Sequence, residues 1–169
     1  LLARAVETDP SDPSPLLGLA WHAQESGDRD RAEALLIRAI ERKGDFVPAH
    51  VALGMLLVDA GRFEEIAAWN SKLPSGAEDF PGTWIVRAKG AEHQQDIAGA
   101  IRCYGEAVTR SPESKVANSR LAQLLEQVGQ RELAQAFGAY SLKIQELADL
   151  QDRLFFSDGP SGIEALLGL

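Results

Sequence analysis

The chain has 169 residues, 45% of them apolar, and carries a net charge of −8 at pH 7 with a pI of about 4.9. This composition excludes a disordered chain, and the acidic balance argues against binding nucleic acid or an anionic membrane through a basic surface. The single cysteine, Cys103, excludes a disulfide within the chain, and no apolar stretch is long enough to span a bilayer. These features leave the cellular compartment open.

A period of 34 residues runs through residues 13–148. When Pro13 is counted as position 1, small residues recur at position 8, namely Ala20, Gly54, Ala88 and Ala122. Alanine recurs at position 20 in three of the copies, namely Ala32, Ala100 and Ala134. Position 15 is occupied by Gly27, Gly61, Gln95 and Gly129. Small residues let two helices approach closely and glycine permits a tight turn, so the period predicts a series of helical hairpins.

The pattern resembles that of the tetratricopeptide repeat family, W-x2-L-G-x2-Y…A-x3-F…P, which has the same period. The resemblance implies an all-α fold, a right-handed superhelical solenoid of helix-turn-helix repeats. Each repeat is expected to be a hairpin of two helices, which we call helix A and helix B. The small residues at positions 8 and 20 are expected at the crossing of these two helices.

The repeat register divides the chain into six segments. They are the second helix of a truncated preceding repeat (1–10), four repeats (13–46, 47–80, 81–114 and 115–148), and an extended capping helix with a short apolar tail (149–169). We therefore expect the chain to be a fragment of a longer protein, which keeps only helix B of its first repeat.

The first two repeats have a proline at or near their start, Pro13 in the first and Pro48 in the second, and proline is well tolerated in the first turn of a helix. In the first repeat, helix A is expected to end near Ser26 and helix B to run from about Arg29 to Lys43. The second helix B contains Pro74, and proline inside a helix costs roughly 3 kcal/mol. We therefore expect this helix to stop near Leu73 and a loop to follow at residues 74–82.

The third repeat is expected to run from about Trp84 to Arg110, although Gln95 and Arg87 depart from the family pattern. In the fourth repeat, the apolar pattern continues past the normal end of helix B and predicts one long helix from about Arg131 to Leu154. Its stripe of Leu147, Leu150 and Leu154, together with a tail at residues 163–169, is expected to cap the solenoid.

In the family, helix A lines the concave side, and positions 2, 5, 9, 12 and 13 face the groove. The resemblance therefore gives a set of candidate groove residues: Leu17, Trp21, Val51, Met55, Val58, Ile85, Lys89, Arg120 and Gln123. Most of this set is apolar, and contiguous apolar surface usually marks a binding site. It favours an apolar helix or an extended peptide segment as the ligand.

The best-known groove of the family is a carboxylate clamp for acidic chaperone tails. It needs Lys at position 5 and Asn at position 9 of its first repeat, where this chain has Leu17 and Trp21. Lys89 and Arg120 alone do not make that clamp, so the sequence argues against recognition of a chaperone tail. One alternative stays open, in which the C-terminal tail or upstream repeats cover the apolar strip.

No catalytic or metal-binding pattern is present in the sequence. His22, His50 and His93 lack the spacing of metal ligands, and neither a GxSxG motif nor a phosphate-binding loop occurs. The sequence therefore predicts no enzyme, no cofactor and no metal. Of the two tryptophans that flank the irregular loop, Trp84 lies at the family's tryptophan position and is expected in the core. Trp69 could instead mark a contact on the convex side.

Three functions are compatible with these sequence features. The first is a scaffold that binds a protein or peptide, and neither nucleic acid nor membrane, in its concave groove. The second is a partner- or substrate-docking module of a larger enzyme or assembly. The third is a self-assembly module that forms homo-oligomers through an exposed repeat end or the apolar tail.

Overall fold

The computed structural model describes Asp9 and residues 11–156, with residues 151–156 described as backbone alone. All α-helices and 3-10 helices of the described residues follow one another without a strand between them. The α-helices are α1 (Ser14–Glu25), α2 (Arg29–Arg42), α3 (Val47–Asp59), α4 (Ile66–Ser71), α5 (Pro81–His93), α6 (Ile97–Arg110), α7 (Lys115–Gln127) and α8 (Arg131–Phe156). Short 3-10 helices at Phe63–Glu65 and Ala77–Asp79 precede α4 and α5.

The described helices form two compact units, one that ends at Arg110 and one that begins at Ser111. In the first unit, α1 pairs with α2, α3 with α4, and α5 with α6. Helix α3 also packs against α2 and α5, so it lies at the centre of this unit. The second unit is the hairpin of α7 and α8. Helices α1, α3, α5 and α7 are the helices A of the sequence pattern.

Each hairpin turns at position 15 of the repeat, where the backbone has a positive φ. The four φ angles are 78° at Gly27, 72° at Gly61, 61° at Gln95 and 80° at Gly129. The next residue closes the turn in each case, as in the 2.9 Å bond from the backbone N–H of Asp28 to the carbonyl of Ala23. This is the Schellman arrangement, which needs a left-handed residue at this point. Gln95 therefore adopts the family's turn although it lacks the family's glycine.

Replacing Gln95 by Gly should raise the free energy of unfolding by about 1 kcal/mol, because glycine enters the left-handed region without the steric cost of a Cβ atom. The matched control is Gly27→Ala in the first hairpin, where a Cβ atom meets no other atom within 4 Å and only the φ of 78° opposes it. We expect that variant to lose about 1 kcal/mol. Urea unfolding followed by circular dichroism measures both, and an equal or lower stability of Gln95→Gly would contradict the prediction.

Most small residues of the period are buried, as expected for the helix crossings, whereas Ala122 in the last hairpin is half-buried. Ala20 and Ala88 at position 8, and Ala32 and Ala100 at position 20, are fully inaccessible to solvent. Their size lets helix A and helix B of each hairpin pack closely, and larger residues such as Leu36 fill the space between them.

The second hairpin departs from the others because α4 has only six residues, against fourteen in α2 and in α6. It ends at Ser71, close to the expected stop. Trp69 is only 4% exposed, and its indole N–H donates to the carbonyl of His50 at 2.7 Å. Its ring lies over Gly54, where an added Cβ atom would come within 2.5 Å of the ring. Trp69 is therefore a core residue, and little of its side chain is left for the contact on the convex side that the sequence suggested.

The loop after α4 is held by polar contacts to α5. The indole N–H of Trp84 donates to the carbonyl of Glu78 at 2.8 Å, and the guanidinium of Arg87 lies 4.6 Å from the Trp84 ring centre. Arg87 also donates to the side chain of Asn70 at 2.7 Å. Two polar residues at normally apolar repeat positions therefore pair with each other. Trp84 is half-buried, not in the core as expected.

Helix α5 begins at Pro81, three residues before the expected start near Trp84. The proline ring fixes a helical φ and removes an N–H that the first turn leaves unpaired, so Pro81 starts the helix. Only part of the expected loop at 74–82 is therefore irregular.

The long last helix is present and runs from Arg131 to Phe156. On it, Leu147 is 62% exposed and Leu150 is 39% exposed. The side chain of Leu154 and the expected apolar tail at 163–169 lie outside the described residues, as do residues 1–8.

Candidate functional site

The nine candidate groove residues lie on the four helices A. Seven of them belong to the unit that ends at Arg110, on α1, α3 and α5, while Arg120 and Gln123 lie on α7 of the other unit. Arg120 is half-buried and its guanidinium donates to the side-chain oxygen of Gln123 at 2.5 Å. We call the surface formed by the seven residues of the larger unit the helix-A face.

Three of the seven residues on this face contribute to the core. Leu17 and Ile85 are 7% exposed, and Val58 is 8% exposed. Leu17 and Ile85 occupy position 5 and Val58 occupies position 12, which lie on the same side of a helix because seven residues make about two turns. At these three positions the side chain packs against neighbouring residues, so it stabilises the fold and leaves little surface for a ligand.

The most accessible side chain of the helix-A face lies at position 9. Trp21 on α1 is 57% exposed, whereas Met55 on α3 and Lys89 on α5 are half-buried. Val51 is half-buried as well, because it packs against Gly82 at the start of α5, where an added Cβ atom would come within 2.4 Å of it. This close approach positions α3 against α5.

Met55 contacts the core cluster that contains Leu57, Val58 and Trp69, so only part of its side chain is available to a ligand. Lys89 on α5 provides the positive charge of this face. The helix-A face of this unit thus presents one exposed indole, a partly accessible thioether and one ammonium group.

A cleft lies between the helices B and was not expected from the sequence. It is a cleft of about 540 Å³ between α2 and α4, with α3 as its floor, and we call it the helix-B cleft. Its apolar lining is Ile37, Ile40, Leu53, Leu57, Ala68 and Trp69. The one sequence signal for an irregular second hairpin was Pro74, which interrupts its helix B. This signal predicted a short helix but not a cleft.

The rim of the helix-B cleft is charged. Arg62 donates to Glu33 at 2.6 Å and to Glu65 at 2.5 Å, which links the second hairpin to α2. The hydrogen bonds from this guanidinium lower the pKa of the Glu65 carboxyl below its usual value. Lys72 and Glu41 complete the charged rim. The ion pairs of Arg62 with Glu33 and Glu65 join the two sides of the cleft at its mouth.

The described residues hold no group of three His, Cys, Asp or Glu side chains that could bind a metal ion. Burial raises the pKa of the Cys103 thiol, which disfavours the reactive thiolate. Within the described part of the chain, every helix is too short or too polar to cross a membrane.

No family model and no curated protein matches the chain by sequence. Among solved structures it is similar to MamA. One MamA crystal structure matches with a TM-score of 0.66 and 15% identity over 88% of this chain and 86% of that one. MamA from Desulfovibrio magneticus RS-1 matches with a TM-score of 0.65 and 14% identity over 88% and 84%. MamA AMB-1 matches with a TM-score of 0.61 and 19% identity over 86% of both chains.

This likeness concerns the fold, because all three identities are below 20%. MamA is a helical repeat protein of the tetratricopeptide type. The fold class expected from the 34-residue period, an all-α solenoid of helix-turn-helix repeats, is therefore confirmed.

Proposed function

We propose that the chain is a non-catalytic interaction scaffold that binds an apolar helix or an extended peptide segment on its helix-A face. The observation that carries this proposal is the 57% exposure of Trp21 on the first helix A. Tryptophan is among the residues that contribute most to protein interfaces, because its large rigid ring buries much surface at little entropic cost. Helical repeat solenoids offer extended surfaces on which such residues can act together.

The residues at the same repeat position on the next two helices A define the chemistry of the expected ligand. Met55 occupies the position on α3 that corresponds to Trp21 on α1, and its flexible thioether adapts to differently shaped apolar side chains. Lys89 occupies the same position on α5 and favours a carboxylate or a helix C-terminus nearby. We therefore expect a ligand with apolar anchors followed by an acidic or carbonyl-rich end. The same surface would serve a docking module of a larger enzyme or assembly.

The proposal is tested by affinity capture from native lysate, with cross-linking and mass spectrometry. The variant is Trp21→Ala, and the matched control is Leu142→Ala, which also removes an exposed apolar side chain but lies on α8. A protein captured by the parent chain and the control should be reduced roughly 30-fold with Trp21→Ala, the effect of losing an interface residue worth about 2 kcal/mol. Val51 is a poor choice for this test because its packing against Gly82 couples it to folding.

Equal capture by the parent chain and by Trp21→Ala would contradict the proposal. Circular dichroism of each variant tests whether the helical fold is retained. Ile37→Glu alters the helix-B cleft. If the captured protein were lost with this variant, the binding site would lie on the helices B instead.

A further inference from the structure

Helix α8 presents an apolar face that no other described helix of its unit covers. The side of α8 that packs against α7 lies about 100° around the helix from this apolar face, and Ala134 and Ser141 are buried there at 6% and 7% exposure. On the uncovered side, Leu133 is 50% exposed, Tyr140 is 45% exposed and Leu147 is 62% exposed. These three residues are seven positions apart, so they form one stripe along the helix.

The stripe has the pattern of a two-stranded coiled coil. With Leu133, Tyr140 and Leu147 at position a of a heptad, position d is occupied by Ala136, Lys143 and Leu150. The 26 residues of α8 span about 39 Å at 1.5 Å per residue, which is long enough for such a seam. We call the six residues at these positions the α8 stripe.

We propose that the α8 stripe pairs with the α8 stripe of a second copy of this chain, with the two helices antiparallel. The orientation follows from Lys143, the one charged residue of the stripe. A parallel pair would place Lys143 directly opposite the partner's Lys143 in an otherwise apolar seam, and that repulsion is unfavourable. An antiparallel pair opposes position a to position d, so each Lys143 faces a position-a side chain and the two lysines no longer lie directly opposite each other.

The antiparallel register matches the side chains in size and charge. Leu133 faces the partner's Leu150. Ala136 faces the partner's Leu147, so a small side chain packs against a large one. Tyr140 faces the partner's Lys143, and an ammonium group over an aromatic ring is stabilising. Two-fold symmetry repeats each layer, so the interface is self-complementary. This pairing is independent of ligand binding on the helix-A face.

The test is sedimentation equilibrium of the 169-residue chain from about 1 to 200 µM, the range in which small interfaces dissociate. The expected result is a shift from the 18.3 kDa monomer to a dimer. Leu147→Glu should weaken dimerisation at least 10-fold. The matched control is Leu142→Glu, which changes an equally exposed leucine five residues away, about 140° around the helix, and should dimerise like the parent chain.

Two outcomes of this experiment overturn the proposal. The first is a chain that remains monomeric at all concentrations, as it would if residues 157–169 or a different protein covered the stripe. The second is a dimer that Leu147→Glu leaves intact, because that dimer must use another surface.

The orientation is tested by disulfide cross-linking in a Cys103→Ser background. Leu133→Cys and Leu150→Cys are made as separate single variants, then oxidised alone and after mixing. In the antiparallel pair, a cross-linked dimer forms efficiently only in the mixture, since Cys at position 133 meets Cys at position 150. Efficient cross-linking of each variant by itself would show a parallel pair and overturn the proposed orientation.

Discussion

Replacing Trp69 by Ala should lower the free energy of unfolding by about 3–5 kcal/mol, which is the range for removing a buried large aromatic side chain. Trp69 is 4% exposed and belongs to the core cluster with Leu57 and Val86. Its indole N–H also donates to the carbonyl of His50, so the variant leaves a buried acceptor without this donor. Because α4 has only six residues, few other contacts compensate for the loss.

The matched control for this prediction is Trp21→Ala, the same substitution at a side chain that is 57% exposed. We expect it to change the free energy of unfolding by less than about 0.5 kcal/mol. Urea unfolding followed by far-UV circular dichroism measures both variants. A similar loss of unfolding free energy for the two variants would show that the buried Trp69 side chain does not stabilise the second hairpin more than an exposed tryptophan does.

The second large effect is expected for Gly54→Ala, which should cost about 1–3 kcal/mol through overpacking. A Cβ atom at Gly54 would come within 2.5 Å of the Trp69 ring, and that ring is held by its hydrogen bond. Alanine is a better helix former than glycine by about 1 kcal/mol, so the clash must exceed this gain for the variant to be destabilised. Gly105→Ala on α6 is the matched control, because its Cβ atom meets nothing within 4 Å, and we expect it to be stabilised.

A double-mutant cycle connects these two predictions. In the Trp69→Ala background the ring is absent, so Gly54→Ala should no longer be destabilising and should show the gain of an ordinary helical alanine. The two single effects should therefore fail to add by more than about 1 kcal/mol. Additive effects would mean that the cost at Gly54 arises from contacts other than the Trp69 ring.

The turns of this chain were predictable because they depend on local backbone geometry. Gly27, Gly61 and Gly129 recur with the period, and each adopts the positive φ that such a turn requires. At Gln95 the residue type pointed away from a turn, yet the turn is present with a φ of 61°. The packing of the flanking helices α5 and α6 outweighs the local cost of about 1–2 kcal/mol for a left-handed residue with a side chain.

The candidate binding residues were less predictable because their exposure depends on neighbouring helices. The register placed Leu17, Trp21 and Ile85 together on one expected surface. In the structure, Leu17 and Ile85 are buried while Trp21 remains exposed. A family pattern assigns a helical position to a face, but whether a side chain at that position is covered depends on the size and distance of the residues packed against it.

By itself, the sequence determined the all-α class, the hairpin turns, the small residues at the crossings and the extent of the last helix. These features follow from periodicity, turn chemistry and proline, all of which act within one or two helical turns. Only the tertiary structure decided that Trp69 fills the space over Gly54, that Arg87 pairs with Asn70, and that a cleft opens between α2 and α4. Each of these contacts joins residues on different helices, and their fit depends on side-chain shapes that no local pattern encodes.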